Sequence, residues 1–346
     1  MEGLSVQESK GVTHPLSRKR FTVLILLVFG LLGAVCYAIF AGPVSFTSTE
    51  LVDGVLYQQD NMAKRIVWDL RLPRILIGVI VGICLALSGS ILQGVMRNPL
   101  SDPGIIGVSS GAGVVATTML IIFPTAAATF LPIGAFVGAF GTTLLIYFLS
   151  WNQGASSHRI ILVGVAINAL IGAILSSLML LFSDRVQSVL PWLSGGIGGV
   201  GWSHFQMVVG YALIAIVLSF FAAHHLRVLS LGDEVAKLLG HRVERSRFFL
   251  ILLSSLLAAI AVSVSGLIGF VGLVIPHILR MIIGNDARYL LPASALGGAL
   301  LVTLADAFAR TWFDPIELPV GVFLSFLGGP FFLFILLKGM RRNATS

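Results

Sequence analysis

Carboxylates are the first residues to consider, because an ion-coupled transporter or a membrane enzyme needs ionisable groups at membrane depth. The 346-residue sequence contains 15 Asp and Glu residues. Only Asp306 falls within a long apolar run, near one end of it, and Arg310 follows one helical turn later. Pairing with Arg310 is a structural reason for a carboxylate at this position. The sequence therefore shows no proton or sodium relay.

Other residue types that carry chemistry are also scattered. His277 stands beside Pro276 without an HExxH pattern or a His/Asp arrangement, so it is interpreted as structural. Cys36 and Cys84 lie in apolar runs without a CxxC pair, and both are predicted to be small buried residues. The chain has no GxxxxGK[ST] phosphate loop. We therefore predict no catalytic residue, no metal site and no directly bound cofactor, so any ATP must be used by a separate ATPase subunit.

The elements that position these residues are apolar helices. Apolar residues make up 57% of the chain and charged residues 11%, whereas a soluble domain carries about 25% charged residues. A span needs about 20 apolar residues, so we predict an all-α polytopic integral membrane protein with about ten transmembrane helices. The predicted spans are 21–41, 74–95, 104–123, 131–150, 160–182, 204–224, 248–265, 271–283, 290–309 and 319–338. The eighth is too short to cross alone and is expected to be a broken or partly buried segment.

Basic residues indicate the orientation of the bundle. One set of connecting segments holds most of the 22 Lys and Arg residues, and it includes both termini, so this set is predicted to be cytoplasmic. The resulting organisation is a cytoplasmic tail (1–20), one transmembrane domain (21–338) with a cytoplasmic loop (225–247) inside it, and a cytoplasmic tail (339–346). Two external regions follow: a stretch at 42–73, and a short interfacial helix within 183–203 that carries Trp192 and Trp202.

The segment 71–113, RLPRILIGVIVGICLALSGSILQGVMRNPLSDPGIIGVSSGAG, is the most distinctive part of the sequence. Asn98-Pro99 ends one helix, and Asp102 caps the next with Pro103 at its first position. Four later segments complete a pattern: LPWLSGGIGGVGW (190–202), LGDEVAKLLG (231–240), GFVGLVIPHILR (269–280) and ELPVGV (317–322). In this order, from about residue 70 onwards, they resemble the FecCD-type permeases, the membrane subunits of iron-siderophore, haem and vitamin B12 importers.

The resemblance implies a type II ATP-binding cassette (ABC) importer permease fold in a bacterial cytoplasmic membrane. Its partners would be a second permease subunit of the same or a related sequence, two cytoplasmic ATPase subunits and an extracytoplasmic substrate-binding protein, with no nucleic acid. Ferric siderophores are the expected cargo, while haem and vitamin B12 stay open. An ion-coupled secondary transporter and a polytopic membrane enzyme are alternatives of different classes.

The predicted cytoplasmic loop contains a short amphipathic helix. Asp233 and Glu234 occupy its first turn, and Gly240 suits a left-handed cap. Its apolar face is formed by Leu231, Val235, Leu238 and Leu239. That face could rest on the membrane surface. The resemblance instead implies a coupling helix that docks on the ATPase, with the coupling residues Leu231, Gly232, Asp233, Glu234, Ala236, Leu239 and Gly240.

Two further groups of polar residues are candidates for function. Arg71 and Arg74 open the second span and Arg310 ends the ninth. As residues on their own they are typical interfacial anchors, whereas the resemblance implies docking to glutamates of the binding protein. The resemblance also places the fifth and tenth spans along the translocation pathway, and the candidate pathway residues are Ser156, Ser157, Asn168, Ser176 and Ser177. Bonding of these side chains to helix carbonyls or to neighbouring helices is the alternative.

Overall fold

The computed structural model describes residues 15–42, 62–151, 156–313 and 316–344. Within these ranges the chain is helical and contains no strand, which confirms the predicted all-α membrane fold. The ten main helices are α1 (Pro15–Phe40), α2 (Leu72–Met96), α3 (Val108–Ile122), α4 (Pro124–Leu149), α5 (Ser157–Leu181), α6 (Trp202–Ser230), α7 (Val243–Ser265), α8 (Val271–Ile283), α9 (Ala287–Ala309) and α10 (Val320–Ala344). The predicted N-terminal tail (1–20) and external stretch (42–73) lie mostly outside the described residues.

Each predicted span corresponds to one helix, but several boundaries differ. In the described part of the chain, seven helices are long and apolar enough to cross a membrane, while α3, α8 and the apolar part of α10 are shorter. α4 begins at Pro124 rather than 131, because a proline suits the first helical position, where its missing amide hydrogen would have no partner and its φ is already helical. α6 continues to Ser230 and α7 begins at Val243, so the segment joining them is 231–242 rather than 225–247.

α2, α7 and α9 form the centre of the bundle. In an 18-residue apolar stretch of each of these three segments, 83%, 78% and 72% of the stretch is buried, respectively. Gly82 of α2 lies directly against the backbone of Gly298 of α9, so closely that a Cβ atom at either position would overlap the other helix. Small residues allow this approach of two helix backbones. The glycine-rich composition therefore brings the central helices into contact.

The seam between α2 and α7 is polar at its middle. Ser88 Oγ donates to the carbonyl oxygen of Ser254 at 2.7 Å, and Ser254 Oγ donates to the carbonyl oxygen of Ser88 at 2.9 Å. Both side chains are fully buried. A reciprocal pair of hydrogen bonds satisfies both hydroxyls and fixes the register of the two helices, since an unpaired hydroxyl would be costly there.

The outer helices bury little of their surface in this chain. Only 11% of an 18-residue apolar stretch is buried in α1, and the same share is buried in α5. Cys36 on α1 is exposed, contrary to the prediction that it is buried, whereas Cys84 on α2 is fully buried. On α10, Phe326 is 79% exposed. Apolar surface of this extent requires lipid or another membrane subunit around it.

The connections confirm part of the predicted turn chemistry. α2 ends at Arg97, which has a left-handed conformation with φ of 49°. The Asp102 carboxylate accepts a hydrogen bond from the Gly104 amide at 2.8 Å and caps the 3-10 helix Pro103–Ile106, as predicted. The short helix Val186–Leu193 carries Trp192, while Trp202 instead starts α6.

Candidate coupling and docking sites

Two ends of the bundle carry the candidate sites. The loop end is defined here by the segment 231–242, and the arginine end by Arg71, Arg74 and Arg310. At the loop end, the short helix Asp233–Leu238 lies between α6 and α7. Gly232 before it and Gly240 after it have φ of 109° and 76°, values that only glycine adopts without strain. A glycine at each boundary therefore sets this helix apart from its neighbours.

Asp233 anchors the short helix to the bundle. Its carboxylate contacts Arg97 at the end of α2 and accepts a hydrogen bond from Arg247 Nη2 at 2.7 Å. Arg247, in the first turns of α7, also pairs with Glu244 at 3.1 Å. Burial alone would raise the pKa of Asp233, but the hydrogen bonds and charges of Arg247 and Arg97 outweigh it and lower this pKa. The short helix is thus tied to α2 and α7 together.

The short helix presents its apolar side chains outward. Leu238 is 87% exposed and Leu239 is 65% exposed, and Leu231 and Val235 are exposed as well. Ala236 differs from the other predicted coupling residues because it is fully buried under the helix. It therefore cannot contact a partner directly. Exposed leucines on an anchored helix form a surface suited to an apolar groove on another protein.

A histidine cluster that the sequence analysis did not single out lies beside this helix. His241 follows Gly240, and its Nε2 lies 3.4 Å from His225 Nδ1 and 2.9 Å from Ser246 Oγ. Among the described residues, no group of three or more His, Cys, Asp or Glu side chains has the geometry of a metal site. The signal in the sequence is the pair His224-His225 near the end of α6, together with His241.

Asp306 organises the arginine end. Arg74 is bidentate on its carboxylate, with Nε at 3.0 Å from Oδ2 and Nη2 at 2.9 Å from Oδ1. Arg310, the partner predicted from helical spacing, is more distant, with Nε 3.9 Å from Oδ2. Arg74 Nη1 also contacts Glu317 Oε2 at 2.9 Å. The prediction of Arg310 as the partner of Asp306 is therefore only partly correct, because Arg74 makes the closer contacts from another helix.

The other two arginines close the end of α1. Arg71 Nη1 donates to the carbonyl oxygen of Ile39 at 2.6 Å, and Arg310 Nη2 donates to that of Ala38 at 2.5 Å. Guanidinium groups here satisfy carbonyls that the helix end leaves unpaired. Arg71 and Arg310 are each 4% exposed, so neither extends to a lipid headgroup as an interfacial anchor would. Docking of a binding protein by these arginines stays a prediction.

The candidate pathway residues on α5 have local partners. Ser156 caps α5 through its Oγ and the Arg159 amide at 3.4 Å, and Ser157 is the first helical residue. Ser177 Oγ donates to the carbonyl oxygen of Ala173 on its own helix at 2.8 Å. Ser176 is exposed. Lining of a pathway by these serines stays a prediction.

Asn168 joins α5 to the turn before α3. Its Oδ1 accepts a hydrogen bond from Ser110 Oγ at 2.5 Å, and its Nδ2 donates to the carbonyl oxygen of Gly104 at 3.1 Å. Both ends of the amide are therefore used within the chain. These bonds are the interhelical contacts that the sequence analysis gave as the alternative to a pathway role.

Comparisons with known proteins give one consistent family. The FecCD transport family matches residues 26–338. The hemin transport system permease protein HmuU of Yersinia pestis is 43% identical over 286 residues, covering 80% of this chain and 85% of that protein. The Fe(3+)-citrate import system permease protein YfmE of Bacillus subtilis is 36% identical over 334 residues, covering 96% and 100%.

A solved structure supports the same assignment. It is described as an inward-facing conformation of a metal-chelate type ABC transporter, and it matches with a TM-score of 0.82 and 32% identity over 92% of this chain and 99% of its own. PsaBC from Streptococcus pneumoniae, at 18% identity and a TM-score of 0.55, shares the fold. Because the family match spans most of the sequence and the relatives align along four-fifths of it or more, this chain belongs to the FecCD transport family.

Proposed function

We propose that this chain is the permease subunit of an ATP-driven importer and that its cargo is a ferric siderophore complex. Its relatives are named as permeases of transport systems, among them systems for siderophores and Fe(3+)-citrate. Hemin is the second candidate cargo, because the relative from Yersinia pestis that transports it is 43% identical. In this function the permease makes and breaks no covalent bond, and ATP is used by the ATPase partners.

The observation that carries the proposal is the anchored helix Asp233–Leu238 with its exposed leucines. Leu238 and Leu239 face away from the bundle, while Asp233 fastens the helix to α2 and α7. Burying two leucine side chains in a partner's groove contributes about 3 to 6 kcal/mol. One side of this helix binds the partner and the other side is anchored to the bundle. The helix therefore transmits the partner's movement to the bundle. This is what a permease without its own nucleotide site requires.

The remaining partners follow from the same arrangement. The loop end faces the cytoplasm and two ATPase subunits, since the basic residues concentrate there, and the arginine end faces the extracytoplasmic binding protein. A second permease subunit covers the apolar faces of α5 and α10. ATP binding and hydrolysis then move the paired subunits between inward-closed and inward-open states.

Replacement of the exposed leucine tests the coupling assignment. In Leu238→Glu, a charge enters the apolar docking surface, so we expect co-purification of the ATPase to fall roughly tenfold or more. ATP-dependent uptake into vesicles falls with it. Ile316→Glu is the matched control, because Ile316 is 67% exposed at the arginine end. Equal ATPase recovery with both variants would exclude the short helix as the contact.

Cargo is tested with the complete transporter. Uptake of labelled ferric hydroxamate, ferric catecholate, ferric citrate and hemin is compared in cells that lack other routes for each compound. We expect a ferric siderophore to be taken up, and an inactive ATPase to abolish this uptake. Uptake that a protonophore stops and an inactive ATPase does not would instead identify an ion-coupled transporter.

A further inference from the structure

A basic cavity at the loop end belongs to neither the short coupling helix nor the arginine end. It has a volume of about 410 Å³ and lies where the last turns of α2, α6 and α8 meet the first turn of α9. Arg97, Arg227 and Arg280 contribute guanidinium groups to its wall. Three guanidinium groups around one cavity create a strong positive potential.

The positive charge of the cavity is only partly balanced. Arg97 contacts Asp233, which stands outside the lining. Arg280 Nη1 donates to Gln93 Oε1 at 2.8 Å, a neutral amide. Arg227 Nε is buried and has no hydrogen-bond partner among the described residues. The described lining residues include no Asp or Glu. No side chain of the lining therefore supplies an anion to balance the arginines.

A second polar group of the lining is also unsatisfied. Ser90 is 3% exposed, and its Oγ has no hydrogen-bond partner within the described part of the chain. Buried hydroxyl groups in proteins are normally bonded, so an unpaired one that lines a cavity indicates a missing acceptor. A guanidinium and a hydroxyl around one anion are typical of phosphate sites.

The rest of the wall combines leucines with the polar residues Gln93, Ser230 and Asn285. Leu226, Leu290 and Leu291 line the cavity beside the arginines. Nearby on α6, Phe220 and Phe221 are exposed on the outside of the bundle. A free inorganic anion has no apolar surface to pack against leucines, whereas a lipid joins a phosphate to a glycerol ester and apolar acyl chains. Helix ends of this kind lie at headgroup depth in a membrane.

We propose that this cavity binds the phosphate group of an anionic phospholipid from the leaflet at the loop end. Arg227, Arg280 and Ser90 donate hydrogen bonds to the phosphate oxygens, and the leucines contact the glycerol and the first carbons of the acyl chains. Arg97 stands between this phosphate and Asp233, so the bound lipid acts on the residue that anchors the short helix. The site goes beyond transport of the cargo and does not depend on which cargo is carried.

The test measures phospholipid retention by the purified chain. Wild-type protein is transferred to phosphatidylcholine nanodiscs, titrated with phosphatidylglycerol and analysed by native mass spectrometry. We expect one tightly held phosphatidylglycerol per subunit, and an affinity roughly tenfold lower in Arg227→Gln because one charge-assisted contact is lost. Arg227→Lys keeps most of the affinity. Arg288→Gln is the matched control, since Arg288 is exposed in the first turn of α9 outside the cavity.

Folding is separated from binding by measuring the thermal midpoint of every variant in the same detergent. If Arg227→Gln is unstable, Ser90→Ala replaces it, and it too lowers phosphatidylglycerol affinity. Equal affinity in wild type and in whichever of these variants is folded overturns the proposal. So does inorganic phosphate binding that depends on Arg227 while phosphatidylglycerol does not bind. A third contradicting result is weaker ATPase co-purification in Arg227→Gln with no lipid bound, which would place an acidic side chain of the ATPase in the cavity.

Discussion

The two ends of this bundle use the same kind of ion pair for different purposes. At the arginine end, the Asp306 side chain is 5% exposed and that of its partner Arg74 is 14% exposed. At the loop end, the Asp233 and Arg97 side chains are 39% and 42% exposed. A buried carboxylate between arginines is costly to disrupt, whereas a half-exposed pair competes with water and salt. The first end therefore holds long helices together firmly, and the second fastens a short helix less firmly.

Removing the buried carboxylate is expected to have the largest effect. Asp306→Asn leaves Arg74 and Arg310 buried without their shared counter-charge, so we expect the free energy of unfolding to fall by about 3 kcal/mol. Thermal unfolding in detergent measures the loss. Glu317→Gln is the matched control, because Glu317 is the other carboxylate partner of Arg74 and its side chain is 47% exposed. We expect this substitution to change stability by less than about 1 kcal/mol. Similar thermal midpoints for the two variants would contradict the claim that the buried Asp306 stabilises the fold more than the exposed Glu317.

The second prediction separates the two faces of the short helix. Ala236→Arg forces a long side chain into a fully buried position, and we expect a loss of about 2 kcal/mol of stability. Leu238→Arg, at a position that is 87% exposed, leaves the thermal midpoint unchanged and reduces ATPase co-purification. Thermal unfolding and co-purification are measured on both. An unchanged midpoint in Ala236→Arg would contradict the packing of this helix.

The smallest expected effect is at Asp233. Asp233→Asn weakens the half-exposed pair with Arg97 and the contact with the buried Arg247, which keeps Glu244 as a partner, so the loss of stability at neutral pH is below about 1 kcal/mol. The pKa of Asp233 is lowered in the folded protein, so its contribution is complete above the unfolded value of about 3.9 and disappears as the pH falls through the folded value. Unfolding of both proteins between pH 7 and pH 3 measures the difference. A difference that grows on acidification would have the wrong sign.

The number and order of the helices could be predicted because lipid fixes the length of each span. Every predicted span corresponds to a helix, and the cap at Asp102 and the left-handed Gly240 were expected from local chemistry. In these cases the determining atoms are close in the sequence. A single chain with short connections then leaves few alternatives for the bundle.

Contacts between distant parts of the chain could not be predicted in the same way. Helical spacing offers Asp306 its neighbour Arg310, but the closer partner Arg74 lies 232 positions away. Ala236 has a small side chain that suits either face of a helix, and it is buried because the short helix packs against the bundle. Asn168 is a pathway candidate with bonding to a neighbouring helix as the alternative, but the sequence does not identify Ser110 and Gly104 as the partners of its amide. Periodicity alone gives the side of a helix and not the identity of its neighbour.

The reciprocal hydrogen bonds of Ser88 and Ser254 hold α2 and α7 together at one height in the bundle. From this level, Arg97 lies about 13 Å along α2 and Arg247 about 10 Å along α7, and both contact Asp233. Arg74 lies about 21 Å along α2 in the opposite direction, where it forms the buried ion pair with Asp306. One continuous helix backbone therefore connects the half-exposed anchor of the short helix to the buried ion pair at the opposite surface.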